Sequence, residues 1–511
     1  MRCRCFLSLS LAGLYLSQAA LALAADWPQW GGTVGRNMVS AERDLPGTFV
    51  PGEKDPQGRG IRPETTRHVL WTARLGSMTC STPVVANGRL FIGSCGDKLG
   101  LFSCFDALTG KLLWRWSAPP RDVPKMMNGR QFQFSNFPRT LGVCSSGAVD
   151  GDRVYFVSQR LDVLCLDVRG AGGETTPKVL WAFDMWKMGV RPSDACNCSV
   201  LVLGDFVYVC TSNGVDRDCT ANTHDEFRKV PAPDAPMLIV LEKQTGRLVA
   251  TDDVHTGPHL LHGQWSSPSA GRVGGRDLVF LGGGNGVCYA FAALTARSKQ
   301  PIKLTTAWWC DCVPAEYKKF GALDPVTHYC LGDKRRSDTI NKHDGTLAGL
   351  CEIIATPVFH QGRVYVAIGR DPEHGRGRGA LWCIDASQQG NVTESGKIWC
   401  YEGLDRSLCT VSIADGLLYV ADVAGRLHCL DLASGRCLWI HETESIVWGS
   451  TLVADGKVYL PTAKYLWILA AGKEKSVLDR INLGSPVWAS PVVANGILYV
   501  ASKNFLWAVK K

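Results

Sequence analysis

Eight times along the chain, an apolar pair meets a tight turn and then an apolar strand centred on an aromatic residue. The aromatics are Phe91, Tyr155, Tyr208, Phe280, Tyr365, Tyr419, Tyr459 and Tyr499, the last three spaced 40 residues apart. Asn87-Gly88, Asp415-Gly416 and Asn495-Gly496 mark the turns, because Asn-Gly and Asp-Gly accept the positive backbone angles of two-residue hairpins. The flanks, rich in Val, Leu, Ile and Tyr, have the period of 2 expected of strands. A second pattern follows each hairpin: an apolar residue, Asp, two variable positions, Ser or Thr, Gly, and a strand ending in Trp. Residues 105–114 and 430–439 show it fully, and looser copies end at Trp181, Trp308 and Trp399. Together the patterns predict four strands per unit of about 40 residues, the size of a propeller blade.

The two ends of the pattern complement each other. The eighth copy stops at Lys511, before its fourth strand. His68-Val69-Leu70-Trp71-Thr72 is a Trp-ending strand with no hairpin ahead of it. The predicted fold is therefore all-β: an eight-bladed β-propeller of four-stranded antiparallel blades over residues 67–511, closed by its N-terminal strand. Closure removes exposed sheet edges. Leu70 is expected to pack into the closing sheet, so that Leu70→Asp weakens the whole ring. A chain of 511 residues is long for one ordinary core, but stacked repeats escape that limit. Residues 26–66 form an N-terminal extension.

Residues 1–25 have the composition of a secretory signal peptide: Arg2 and Arg4, an apolar stretch from Phe6 to Leu16, and Ala22 and Ala24 as a cleavage site. Ser8, Ser10, Ser17 and Gln18 interrupt the apolar run, which is short for a membrane span. No cysteine stands at the cleavage site to carry a lipid. The expected location is periplasmic or secreted, with no transmembrane span. A net charge of +8 from scattered residues does not suggest a nucleic-acid partner. Twenty-one cysteines in an exported chain allow disulfides, with Cys95/Cys104 and Cys429/Cys437 flanking predicted hairpin turns. Cysteine also serves as a small buried apolar residue, the reading preferred for most of them.

The Asp-Ala-x-Thr-Gly-x-x-x-Trp motif resembles the repeat of pyrrolo-quinoline quinone (PQQ) β-propellers. The resemblance covers roughly residues 67–511. It implies a fold like that of quinoprotein alcohol dehydrogenases, shared with a non-enzymatic scaffold lipoprotein of outer-membrane protein assembly. Segments 194–199, 211–216, 262–268 and 371–375 resemble exported PQQ-binding-like repeat proteins of unestablished function. The chain departs from the quinoprotein enzymes: it has no adjacent Cys-Cys pair and no Cys-x-x-Cys-His haem motif. No motif places their calcium ligands or catalytic Asp.

Blade topology puts the connections between blades on the same face as those between second and third strands. The long segments 119–138, 253–263, 313–350, 214–236 and 370–379 all fall there, which suggests one elaborated face for a ligand or partner. Candidate cofactor-binding residues are His262, Trp265, Asp216, Asn285, Asp371, Glu373 and His374. His255, His259 and His262 are weak candidates for a metal, although their spacing matches no zinc signature and they serve equally as loop residues. Trp265 is either a ring platform or a packing aromatic. Cys196/Cys198 and Cys310/Cys312 are either a four-sulfur metal site or core. Gly282–Gly286 lies between two strands, which argues against a phosphate loop. The favoured function is a monomeric binding or scaffold protein for a protein, glycan or small molecule. The alternative is a quinoprotein oxidoreductase of alcohols or sugars, using PQQ and Ca²⁺.

Overall fold

The computed structural model describes residues 25–121, 126–127, 130–131, 141–170, 175–193, 195–214, 216–217, 227–230, 232–257, 260, 263–315, 351–369 and 378–511. Eight four-stranded antiparallel blades stand around a central axis. Blade 1 comprises Val84–Ala86, Arg89–Gly96, Leu99–Asp106 and Leu112–Ala118. Blades 2 to 7 begin at Ala148, Leu201, Ser269, Val358, Ser412 and Leu452. Blade 8 takes three strands from the C-terminus, Val492–Ala494, Ile497–Ala501 and Phe505–Val509. Its outer strand is Val69–Arg74, which pairs antiparallel with the last strand of the chain. The ring closes as the sequence predicts. Among the described residues no helix is long and apolar enough to cross a membrane.

The two repeat signatures meet at the seams between blades. In blade 8, Trp71 donates from Nε1 to Ala107 O of blade 1 at 3.1 Å, and Tyr499 donates to the same carbonyl at 3.0 Å. Trp181 and Tyr155 of blade 2 share Lys243 O of blade 3 in the same way, at 3.0 and 3.2 Å. Trp114, Trp308, Trp399 and Trp439 each donate to the corresponding turn of the next blade. The turn is made to receive an indole. Gly110 and Gly435, both at positive φ, lie under Trp71 and Trp399, where a Cβ would approach ring carbons to 2.5 and 2.6 Å. The Asp that opens the turn is spent locally, Asp106 Oδ1 accepting from Thr109 N and Oγ1 at 2.8 Å. Each of these six seams thus joins apolar burial to a satisfied polar handle.

Every blade has a bulge between its third and fourth strands, immediately before the Trp position. In blade 8 the register passes from Val69 to Trp71, leaving Leu70 without a cross-strand partner. Leu70 is therefore 45% exposed, contrary to the expectation that it packs into the sheet. The apolar residue before the Trp faces outward because the extra residue interrupts the alternation.

Two cysteine expectations are settled by register. Cys95 stands opposite Gly100 and Cys104 opposite Phe91, so the two do not face each other. Cys429 and Cys437 lie on adjacent strands, and both are free thiols. Cys310 and Cys312 share a side, with sulfurs 3.9 Å apart, in a different buried cluster from Cys196 and Cys198. The two pairs therefore do not converge on a four-sulfur site.

The extension is more than a leader to the ring. Residues 25–40 run past the inner edges of all eight blades on the hairpin-turn side. Trp27 bridges Val85, and the carbonyls of Pro28, Val34, Gly35 and Met38 accept from Val149, Ala270, Phe359 and Val453. Asn37 exchanges two hydrogen bonds with Ile413, and Ala25 O accepts from Asn495 N. Arg36 is fully buried and donates to Pro268 O, Trp30 O and Val200 O at 2.6–2.9 Å. The segment satisfies inner-strand backbone groups that would otherwise face the axis unpaired. Farther on, Pro46 O and Pro51 O accept from Tyr459 OH and Trp507 Nε1.

One seam carries a buried charge. Asp422 of blade 6 accepts from Arg426 Nη2 at 2.7 Å and lies 3.1 Å from His428 Nε2. His428 Nδ1 in turn lies 3.0 Å from Tyr401 OH of blade 5. Burial raises the Asp422 carboxyl, but the hydrogen bond and charge of His428, with Arg426, outweigh it and leave it below the ordinary carboxylate range.

Two predictions follow from these seams. Trp71→Ala should cost about 2–4 kcal/mol, whereas Leu70→Asp should stay within about 0.5 kcal/mol; urea unfolding of the two variants compares them directly. The stability that ionised Asp422 contributes is present above the ordinary carboxylate pKa of about 3.9 and is lost as pH falls through its lower native value. The stability gap between wild type and Asp422→Asn, read from unfolding midpoints, should therefore shrink below pH ~4; a gap independent of pH contradicts the assignment.

Candidate functional site

Each blade is entered through three residues: one variable, one small, one hydroxyl-bearing. They are Cys80-Ser81-Thr82, Cys144-Ser145-Ser146, Asn197-Cys198-Ser199, Trp265-Ser266-Ser267, Ile354-Ala355-Thr356, Leu408-Cys409-Thr410, Trp448-Gly449-Ser450 and Trp488-Ala489-Ser490. All eight first residues and all eight hydroxyl residues line one cavity of about 220 Å³ on the propeller axis. Because these segments are the connections between blades, the cavity lies on the face opposite the hairpin turns.

The hydroxyls form a girdle. In seven of the eight steps around the ring, the backbone N–H of one hydroxyl residue donates to the hydroxyl of the next blade, from Thr82 N on Ser146 Oγ to Ser490 N on Thr82 Oγ1, at 2.8–3.3 Å. At the remaining step Thr356 Oγ1 accepts from Trp30 Nε1 at 3.2 Å. A hydroxyl that accepts an N–H keeps its own proton to donate. The middle residues reinforce the circle: Ser81, Ser145 and Ser266 donate to the next blade's Ser145 O, Cys198 O and Ala355 O at 2.7–3.0 Å.

Above the girdle the wall is aromatic and apolar. Trp448 and Trp488 stand with ring centroids 5.6 Å apart at 49°, and Trp448 is 41% exposed. Trp265 is buried, donating from Nε1 to Ser193 O at 3.3 Å. It is a packing aromatic that also lines the cavity. Trp30, held by the N-terminal segment, closes the hairpin-turn end. Among the described residues that line it, none carries a charge. These residues offer ring faces, hydroxyls and two thiols.

The other candidates fall elsewhere. Asn285 is buried in its own turn, donating to Tyr289 OH at 2.8 Å and accepting from Val287 N. It does not line the cavity. The turn holding it joins strands Arg276–Gly282 and Val287–Ala292. His255 is exposed, with Nε2 3.4 Å from Asp253 Oδ1. Asp216 pairs through its backbone with Lys229, and its side chain lies outside the described residues. His259, His262, Asp371, Glu373 and His374 also lie outside them. Among the described residues no group of three or more His, Cys, Asp or Glu side chains could hold a metal ion. The described cup does not fit PQQ and calcium: a tricarboxylate quinone finds no cation there, and Ca²⁺ finds no carboxylate.

A PQQ-repeat family model, described as outer membrane protein assembly factor BamB, matches residues 63–214 and 379–478. No curated protein sequence matches the chain. BamB from Moraxella catarrhalis superposes with a TM-score of 0.52 at 13% identity, covering 87% of this chain and 97% of that one. A europium-containing methanol dehydrogenase superposes with a TM-score of 0.55 at 12% identity, covering 95% and 98%. At such identities the likeness is one of fold. The repeat, the eight closed blades and these matches agree: the chain is an eight-bladed β-propeller that carries PQQ-type repeats over residues 63–214 and 379–478.

Proposed function

We propose that this protein is an exported binding protein or scaffold that holds a neutral, ring-bearing ligand in the axial cup on its loop-rich face. The ligand is a glycan, a small aromatic molecule or an aromatic side chain of a partner protein. The observation that carries this reading is the cup's lining: four tryptophans over a circle of hydroxyls, with no charge among the described lining residues. Binding sites of this kind join apolar and aromatic walls to a few fixed polar groups. A flat ring stacks on indole faces, while hydroxyls satisfy its polar edge. The composition of residues 1–25 supports export. A quinoprotein reading rests on shared fold alone, which does not carry function.

The test is a titration of the full mature chain with neutral oligosaccharides and aromatic compounds, read by tryptophan fluorescence and calorimetry. Trp448→Ala and Trp488→Ala should each weaken the bound ligand at least tenfold, about 1.4 kcal/mol, with unchanged thermal unfolding. Binding that survives both substitutions would place the site elsewhere. In parallel, protein incubated with PQQ and Ca²⁺ should show no bound-quinone absorbance and no dye-coupled alcohol oxidation. Either signal would overturn the reading in favour of the enzyme.

A further inference from the structure

We propose that Cys80 and Cys144 form a redox-active dithiol in the wall of the cup, which closes to an inter-blade disulfide by exchange with a disulfide-bonded small thiol. The two residues occupy the same position in neighbouring blades and line the same cavity. Their thiols are near enough that each acts on the other's ionisation. The pairing is built in, because the next two positions of each segment are tied across the same seam. Ser81 Oγ donates to Ser145 O at 3.0 Å, and Thr82 N donates to Ser146 Oγ at 3.1 Å. Elsewhere around the ring the first position holds Asn, Trp, Ile, Leu, Trp and Trp. Only this seam sets sulfur against sulfur at the rim.

The two sulfurs differ in a way that assigns their roles. The neighbouring Cys144 side chain pulls the Cys80 thiol below its ordinary range, against the effect of burial, and the charge of Lys503 adds to this. Cys80 in turn, with burial, holds Cys144 protonated. Burial also keeps Cys95 protonated and pushes Cys196 up to about 12. Cys80 is moreover the partly exposed member of the pair, and Cys144 the buried one. A thiolate with access is the attacking species in exchange.

The step balances as follows. The Cys80 thiolate attacks one sulfur of the incoming disulfide, forming a mixed disulfide and releasing one small thiolate, which takes up a proton. Cys144 then gives up its proton and attacks the Cys80 sulfur. The Cys80–Cys144 bond forms and the second small thiol leaves. Two protein thiols are oxidised and one small disulfide is reduced to two thiols.

The experiment is covalent and independent of any ligand in the cup. Reduced, folded full-length mature protein is exposed to glutathione disulfide, blocked with an alkylating agent in acid, digested and analysed by mass spectrometry. The expected result is the loss of two alkylatable thiols and the appearance of one Cys80–Cys144 linked peptide, reversed by reductant. Cys144→Ser should arrest the reaction as a glutathione adduct on Cys80, and Cys80→Ser should leave Cys144 alkylatable. No linked peptide in the wild type, or a link from Cys80 to another cysteine, overturns the proposal. An adduct on Cys144 rather than Cys80 overturns the assignment of roles. Should a variant fail to fold, the wild-type peptide map still decides.

Discussion

Backbone pairing between neighbouring blades is limited to short segments such as Ile302–Lys303 beside Ala250–Thr251 and Gly390–Asn391 beside Trp308–Trp309, so the seams hold chiefly by side chains. Here the recurring contact is an indole laid over a glycine in the next blade's turn, with its N–H on a carbonyl of that turn. The aromatic of the second strand joins it: Tyr155–Trp181, Tyr365–Trp399 and Tyr419–Trp439 meet at 5.8–6.0 Å and 44–53°. The motif's parts are therefore one device. Asp folds the turn, Gly makes room, and Trp closes the seam. At the seam between blades 7 and 8, which lacks the indole, the strap around Pro46 and Pro51 supplies carbonyls that accept from Tyr459 OH and Trp507 Nε1.

Seams of this kind draw the blades together on the outside but leave the axis to be filled. The N-terminal segment fills one end, spending its backbone on the inner strands and burying Arg36 among carbonyls. Burial pushes that guanidinium down to about 9. The other end stays open as the cup, its circumference fixed by N–H to hydroxyl bonds from blade to blade. A ligand entering a cup held in this way would meet a wall already in place.

Blades and closure were legible in the sequence because turn chemistry repeats with the fold: Asn-Gly and Asp-Gly hairpins, Asp-x-x-Thr-Gly turns, and a spare first strand matching the one that the last blade lacks. Leu70 was misread because the bulge before Trp71 breaks a strict alternation, and a bulge has no signature in one strand alone. The cup was not legible. Its hydroxyls stand singly between blades, and each reads as an ordinary loop Ser or Thr until the ring brings eight together. A trace of it was present: Trp448-Gly449-Ser450 and Trp488-Ala489-Ser490 recur 40 residues apart, in step with the hairpins. The plug was invisible for another reason. Residues 25–40 form contacts through backbone carbonyls rather than through any side-chain pattern.

The account stands on a closed ring whose axial girdle and N-terminal closing strand belong to one cooperative unit. Native-state hydrogen exchange on the mature protein tests that directly. The amides of Thr82, Thr410, Ser450 and Ser490, together with those of Val69–Arg74, should exchange only through global unfolding, with the same denaturant dependence. Fast exchange at the girdle, or opening of Val69–Arg74 independently of the other blades, would contradict it.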